Sequence, residues 1–526
     1  MHLRRTPLWR MLALLALLTL VTAACAAPVA APASGGEAAR EPSGPVIGGT
    51  LTMSLGNDFV SFHPFFDINN TEFRPQIYEP VIRISDEGDF EPWLAESWEA
   101  AEDGLSITLH LRQGIKFHNG REMTADDVVW SVDLARNTEI GHHLSDRFQT
   151  AIGAEKIDDY TVKVLYSERN ASQLDGLARL WMFPQEAAET IETVPVGTGP
   201  FKFVEWIPGD SLTLERFDDY WQEGLPYLDK IVVKPIPDAQ AQLVNLRSNS
   251  IDLLMLVPLS DKEALAAEDG IVVGESPAGF SFYSFLMNIN QPPFDNIKVR
   301  QAFQYAINRD EIAQTAFHGQ ATPFLVPYAK TSWAYAADLE TYYTYDPEKA
   351  KELLAEAGYP DGFSVQLLIR GTGDAHLDQA QVYQQQLAAI GVDVELVPTE
   401  LPQYWPQLFE SNFAIVSHAT GDATVDPSGL FEGAACCRPF RNFFGVQDRT
   451  DDWFLEYEDV IFQARELTDR TERAALYHRA LEILLEQGWT IPTVWNQEAY
   501  AYWDYVQNFR VDLDGSAWLG EVYLTK

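Results

Sequence analysis

The sequence predicts an α/β body, and three observations carry that prediction. Phe363–Arg370, Leu377–Ile390 and Val392–Val397 read as strand, helix and strand, an order that pairs its two strands in parallel. Apolar–polar alternation and helical spacing are interleaved along the whole body rather than segregated into halves. Hydrophobic residues make up 46% of the chain, with 14 Trp, 21 Tyr and 29 Phe, which is ample for real cores. Behind a leader and a tether, about 480 residues remain, roughly three domain-sized units as a length prior.

The leader comes first. Arg4, Arg5 and Arg10 precede the apolar run Met11–Val21, which meets Thr22-Ala23-Ala24-Cys25. A basic head, a short apolar middle and a small-residue exit make a secretory signal. The run is too short to span a bilayer, since a spanning helix needs about 20 apolar residues. Small residues ending on a cysteine resemble the lipobox of bacterial lipoproteins. That resemblance implies a signal peptide over 1–24 and diacylglycerol on Cys25 as the mature N-terminus. Thr22 stands where an aliphatic residue is usual, and ordinary cleavage nearby is the alternative. Of the 20 residues Ala26–Pro45, 16 are Ala, Pro, Gly or Ser, so they bury too little apolar surface to offset ordering. Residues 25–45 therefore read as a lipidated cysteine and tether, reaching roughly 25 Å if flexible and about 60 Å if extended.

In the body, Gly49–Leu55 reads as the opening strand and Leu105–Arg112 as a half-buried strand of period two. Thr124-Ala-Asp-Asp127 opens a helix that buries Val128, Val129 and Val132, with Asp127 placed as a capping-box partner. Tyr160–Tyr166, Ser211–Arg216 and Ile231–Lys234 are further strands, and Gly197-Thr-Gly-Pro200 is a rigid turn. Beyond residue 290 helices dominate. Val299, Ala302, Phe303, Ala306 and Ile307 share one face, and Asp346-Pro347 starts a helix with proline at its first position. Thr471–Glu486 is amphipathic, with Leu476, Ala480, Leu484 and Leu485 inward.

Charge and motifs exclude several classes. With 37 basic and 77 acidic residues the net charge is −40, the opposite of what nucleic-acid phosphates require. No G-x-S-x-G, H-E-x-x-H, P-loop or G-x-G-x-x-G is present. Gly371-Thr-Gly373 lacks a third glycine and reads as a turn. The ten histidines are scattered, with only His142-His143 adjacent, so neither a metal nor a cofactor is expected. Cys436-Cys437 is either a vicinal disulfide or two buried thiols. The body reads as an aromatic-rich binder rather than an enzyme.

Several blocks then stand in a specific order. Pro92-Trp-Leu-Ala-Glu-Ser-Trp98 precedes Leu109–Gly120 and Thr124–Trp130; Gly197–Phe201, Asp219-Tyr-Trp221 and Pro293-Phe294 follow. Val299-Arg-Gln-Ala-Phe303, Tyr305–Asp310, Asp346–Ala350 and Leu353–Gly358 complete the series. From about 48 to 520 the chain resembles the family 5 solute-binding proteins of bacterial ABC importers, the oligopeptide, dipeptide and nickel binders. The resemblance implies a periplasmic-binding-protein-like two-lobed clamshell, type II, with an extra domain on the first lobe. Lobe I would take 46–77, 196–285 and 490–526, the extra domain 78–195, and lobe II 286–489, with a hinge near 285 and 490. It implies an exported monomer, held at the membrane by its lipid, that captures dipeptides or short oligopeptides and serves an ABC permease and ATPase. A nickel chelate, opine, haem or oligosaccharide is the alternative ligand, and a secreted hydrolase the remaining class.

Thr420-Gly421-Asp422, followed by Asp426-Pro427, resembles the motif with which dipeptide-binding members hold the ligand's α-ammonium through the aspartate. A carboxylate in a water-excluded cleft binds an ammonium by charge-assisted hydrogen bonds. His418-Ala419 stands where an aromatic often precedes that motif. Arg370 lies where dipeptide members place a carboxylate-binding arginine, and a guanidinium grips a carboxylate bidentately. Trp405, Tyr283, Trp495 and Phe65 are candidate aromatic walls, with core positions as the alternative for each.

Overall fold

Two large mixed sheets divide the chain between them. The computed structural model describes residues 44–526 except 67–70, 86–87, 141–142, 277–280, 329, 331, 372–374, 421–425, 428–430, 432–448 and 514. The expected features at Cys25, the tether, Gly421, Asp422 and Cys436-Cys437 lie outside the described residues. Residues 45–526 form one compact unit.

The first sheet runs, in spatial order, Ile271–Glu275, Ala499–Trp503, Leu253–Val257, Thr50–Leu55, Lys230–Pro235, Ser211–Arg216 and Phe201–Ile207. Its opening strand pairs in parallel with Lys230–Pro235 and Leu253–Val257, and the flanking pairs are antiparallel. Leu51, Met53 and Leu55 point into the core and are almost fully buried, as the period-two pattern requires. A separate four-stranded antiparallel sheet, Ala95–Ala100, Ser106–Leu111, Thr161–Tyr166 and Ala151–Asp158, carries the helix Ala125–Ala135 on one side. That helix begins as expected: the Thr124 amide donates to Asp127 Oδ2 at 2.9 Å, while Val128 and Val132 are fully buried.

The second sheet runs Thr322–Pro323, Thr490–Asn496, Ser281–Met287, Ile415–Thr420, Phe363–Arg370 and Val392–Thr399. Phe363–Arg370 is parallel to both of its neighbours, as its strand–helix–strand order predicts. Helix Ala375–Ala388 packs through Ala380, Tyr383 and Leu387 against Leu367, Ile369 and Ile415. Helix Leu401–Phe409 packs through Tyr404 and Leu408 against Leu368 and Val416 on the opposite face. Asp346 caps Pro347–Glu356 by accepting from the Lys349 amide at 2.9 Å.

The chain passes between the two sheets twice. It leaves the first at Glu275 and enters the second at Ser281, then leaves the second at Asn496 and re-enters the first at Ala499. The expected crossings near 285 and 490 therefore fall inside strands of the second sheet. Phe282, Phe285 and Leu286 are buried along the strand Ser281–Met287, whose register against Thr490–Asn496 shifts between Phe282 and Ser284. The crossings are tied together: the Ser276 amide donates to the Glu498 carbonyl at 2.8 Å and Gln497 Nε2 to the Ser276 carbonyl at 3.2 Å. Far along the chain from them, Ala171 N donates to the Arg465 carbonyl at 2.7 Å, and Arg470 bonds Asp89 at 2.9 Å.

A buried carboxylate explains several of the ordered blocks. Glu79 is 1% exposed and accepts from Tyr220 Oη at 2.7 Å, Trp93 Nε1 at 3.0 Å and Trp221 Nε1 at 3.1 Å. Next to it, Gly197 and Gly199 pass so close to the backbone of 76–77 that an added Cβ would meet Ile77 O at 2.0 Å and Gln76 O at 2.7 Å. Burial raises the Glu79 carboxyl from 4.5 to about 7, against the opposing pull of its donors. The folded value lies above the unfolded one, so its protonated form supports folding fully below about 4.5 and that support is lost as pH rises through about 7. Glu79→Gln, which cannot ionise, should gain stability relative to the native chain by up to about 3 kcal/mol between pH 4.5 and 8, read by denaturant titration. A difference that stays flat across that range would show that Glu79 does not titrate there.

Candidate ligand-binding site

Three parallel strands, Phe363–Arg370, Val392–Thr399 and Ile415–Thr420, end on one edge of the second sheet. Ligands of open α/β sheets bind in the crevice outside such carboxyl ends. The crossings lie at this same edge, because Thr420 is opposite Phe282 and Phe282 opposite Trp495, near the start of one connecting strand and the end of the other.

Arg370 is the last residue of its strand. Gly371 follows with φ +75° and donates to the Thr399 carbonyl at 2.8 Å, turning the chain away and leaving the guanidinium at the edge. There it lies 5.2 Å from the centroid of Trp405, a cation–π contact. Among the described residues no carboxylate comes within 4.0 Å of it. Trp405 is itself held by stacking on Phe409 at 5.7 Å and by an edge contact with Tyr404 at 5.3 Å. Tyr404 Oη donates to the Ser417 carbonyl at 2.9 Å and lies 3.2 Å from His418 Nδ1.

On the opposite face a polar chain fixes the neighbouring side chains. His376 Nδ1 is 2.8 Å from Ser417 Oγ, and Gln379 Nε2 donates to the same oxygen at 3.3 Å. Thr493 Oγ1 lies 2.9 Å from Gln379 Oε1 and 2.9 Å from the Tyr283 carbonyl. The Tyr283 ring is 5.0 Å from that of His376. Burial holds the His376 imidazole well below its ordinary 6.5, and the charges of Arg370 and His418 push the same way. Glu498, within the second crossing, has its carboxyl raised by burial and drawn partly back by Arg370.

Of the residues expected from the sequence, Arg370 and Trp405 meet at this edge and Thr420 ends its strand there, while the Tyr283 ring packs on the opposite face against His376 and Phe317. Gly421 and Asp422 follow Thr420 beyond the described residues. Asp426 is engaged structurally, bonding Arg473 bidentately at 2.7 and 2.9 Å, with Arg473 only 4% exposed. Trp495 is 8% exposed and packs 5.1 Å from Phe282 and 4.9 Å from Phe324, which makes it core more than wall. Phe65 is fully buried against Phe183 at 5.6 Å in the first core and does not line this edge. His376, Tyr404 and Glu498 were not singled out from the sequence; their importance depends on strand ends and crossings that only the fold defines.

Comparison with known proteins fits this geometry. Residues 89–441 match the bacterial extracellular solute-binding proteins, family 5 (middle). The chain belongs to this family. Heme-binding protein A of Haemophilus influenzae is 30% identical over 82% of this chain and 84% of its own. The glutathione-binding protein GsiB of Salmonella typhimurium is 31% identical over 84% and 88%. The Helicobacter pylori ABC transporter-associated periplasmic binding protein DppA, solved with the peptide STSA, superposes with a TM-score of 0.81 at 27% identity, over 91% of this chain and 99% of that one. The family 5 fold is the two-lobed clamshell, each lobe here built on one of the two large sheets. As a family 5 protein the chain is an extracytoplasmic substrate-binding component of an ABC importer, and its relatives are binding proteins rather than enzymes. Among the described residues no helix is long and apolar enough to cross a membrane.

The His376 environment gives a direct check. In an NMR titration of the histidine rings, His376 should still be neutral at pH 6.5, where an ordinary imidazole is half charged. A His376 ring that protonates near 6.5 would show that this edge is open to water.

Proposed function

We propose that this chain captures dipeptides or short oligopeptides in the crevice outside the parallel strand ends and delivers them to an ABC permease and its ATPase. The observation that carries the reading is Arg370, a guanidinium stacked on Trp405 with no carboxylate partner among the described residues. Such a group at a partly enclosed edge is completed by a ligand carboxylate, bound in two parallel hydrogen bonds. Trp405 supplies an apolar face beside it, Tyr283 a second one across the sheet, and Asp422, two residues after the end of the Ile415–Thr420 strand, takes the ligand's ammonium. The relative bound to STSA supports a peptide, and the haem and glutathione binders show how widely ligand chemistry varies on related chains. The protein acts as a monomer and performs no chemistry. Its lobes take residues 46–276 with 499–526, including the extra domain 78–195, and residues 281–496.

A thermal-shift panel of di- to pentapeptides, glutathione, haem, nickel chelates, opines and oligosaccharides tests this, since a ligand that binds only the folded form raises stability by RT ln(1 + [L]/Kd). Peptides are expected to give the largest shifts. Arg370→Ala should weaken them about tenfold or more, the worth of a charge-assisted hydrogen bond. Asp422→Ala with unaltered peptide affinity would remove the ammonium role of Asp422, and turnover of any panel compound would sink the binding-only reading.

We further propose that the signal ends before Cys25 and that a lipid on Cys25 keeps the protein beside its permease. Intact mass of the membrane-extracted protein should show a diacylglyceryl addition on a chain beginning at Cys25. An unmodified Cys25 thiol would remove the anchor and leave the binding reading intact.

A further inference from the structure

A cavity of about 640 Å³, counted with its open mouth, lies in the lobe built on the first sheet. Residues from 75–84, 178–181 and 512–518 wall it, together with Trp93. Hydrogen bonds fix these walls to one another. Met182 N donates to the Glu79 carbonyl at 2.9 Å, and Pro80 bridges Trp181 in antiparallel fashion. Gln76 Nε2 donates to the Ala517 carbonyl at 2.5 Å, and Gln76 Oε1 accepts from Leu519 N at 3.2 Å. The Arg83 guanidinium lies 4.8 Å from the Trp93 ring and 5.9 Å from the Trp518 ring, and Arg74 lies 5.4 Å from that of Trp181. The lining is aromatic and its charges are already opposed. Trp93, Trp181, Trp518, Pro75, Pro80 and Ile84 supply the apolar surface. Arg83 is 3.2 Å from Glu91, Arg179 3.4 Å from Asp175 and Asp512 3.6 Å from Arg510, while the Glu79 carboxylate accepts from Trp93, Tyr220 and Trp221. Such a cavity selects on apolar area rather than on charge.

Its walls also carry contacts that join the two lobes away from the crossings. The hairpin of Ile82–Ile84 and Phe90–Pro92 supplies Arg83 and Ile84 to the cavity, and Asp89 in its turn bonds Arg470 at 2.9 Å. Ala171, leading into the helix Gln173–Leu177 ahead of Ala178, donates to the Arg465 carbonyl at 2.7 Å. The cavity therefore belongs to the side of the first lobe that meets the second. Both terminus anchors proposed above, Arg370 and Asp422, belong to the second lobe. A ligand held by those groups alone would bind open and closed forms equally and could not favour closure. A contact in the first lobe supplies the difference.

We propose that this cavity is the first lobe's share of the binding site and takes an aromatic side chain of the ligand, with Ile84 and Trp181 as specificity-determining walls. This rests on the binding reading above and narrows it: the preferred substrates are peptides that carry an aromatic residue. A ring entering between tryptophan and proline faces buries apolar area and gains ring–ring contact. A small side chain leaves those faces wet. An acidic or basic one loses hydration in a cavity whose charges already have partners.

The test measures affinity by calorimetry for alanine di- and tripeptides in which each position in turn is replaced by Phe, Asp or Lys. At one position Phe is expected to bind about ten- to a hundredfold tighter than Ala, the worth of a buried ring, with Asp and Lys no tighter than Ala. Ile84→Trp fills the cavity from a half-buried strand position and should bring the Phe and Ala peptides within about threefold of each other. Ala178→Leu fills it from another wall and serves if Ile84→Trp does not fold. N-acetylphenylalaninamide, which carries neither ammonium nor carboxylate, probes the cavity without the terminus anchors. Ligand-observed NMR should detect it on the native chain and lose it on the filled variant. A Phe preference that survives both fillings, or native peptide binding indifferent to side chain at every position, would overturn the proposal and leave the peptide reading standing. If no peptide binds while the neutral probe binds the native chain and not the filled one, the peptide reading falls and the cavity keeps its aromatic role. If neither peptide nor probe binds, both fall.

Discussion

The tie between the two crossings is the constraint on which the functional arrangement depends. Only two strands of chain connect the sheets, and hydrogen bonds from Ser276 to Glu498 and from Gln497 to Ser276 bind them into one narrow ribbon. A two-lobed protein whose connections are so joined can change shape chiefly by rotation about that ribbon, the geometry of hinge closure. Contacts remote in sequence from the ribbon, Ala171 to Arg465 and Arg470 to Asp89, have to separate when the lobes part. An exposed ion pair such as Arg470–Asp89 contributes about 0–1 kcal/mol. Such contacts leave closure to be decided by what lies between the lobes, since a ligand shifts an equilibrium only by its differential affinity for the two states.

The charges follow the same logic. The surface is strongly acidic, which would attract cations indiscriminately if nothing ordered it. Inside, basic groups are assigned to particular acceptors: Arg473 to Asp426, Arg300 to the Gln487 carbonyl, Arg309 to the Pro492 carbonyl. Those bonds tie Arg473 to the segment at Asp426, one helix to another through Gln487, and a helix to the second sheet through Pro492. Arg370 is positioned by aromatic stacking on Trp405, which orients a guanidinium without consuming its donors. These arginines thus differ in what occupies the hydrogen-bonding edge of the guanidinium.

Much of the fold was legible because its signals are local. Thr124 with Asp127, Asp346 with Pro347, and the buried face Val299, Ala302, Phe303 and Ala306 place helices through capping and periodicity alone. The parallel pairing of Phe363–Arg370 with Val392–Thr399 followed from the helix between them. The crossings were not legible to the residue. Whether Ser281–Met287 belongs to one sheet or the other depends on partners at Ile415–Thr420 and Thr490–Asn496, more than a hundred positions away in sequence. The packing of the aromatic candidates was illegible for a similar reason. Phe65 and Trp495 look like Trp405 in sequence, but only Trp405 lies beside a charged group at a strand end, while Phe65 is enclosed by Phe183 and its neighbours.

That asymmetry explains why class is easier to read than ligand in a chain like this. The ordered blocks that carry the family resemblance meet at Glu79, where Trp93, Tyr220 and Trp221 donate to one buried carboxylate, and at Gly197 and Gly199, where two backbones touch. Each partner is needed to avoid an unsatisfied buried charge or a steric clash, so few alternatives are tolerated. The residues that meet a ligand face solvent in its absence and carry no such mutual obligation. Arg370 is a single position at a strand end, where a change of side chain leaves the pairing of the sheet unchanged. Ligand chemistry can therefore diverge on this scaffold while the scaffold itself stays recognisable. In this chain it is to be sought at groups such as Arg370, which has no carboxylate within 4.0 Å among the described residues.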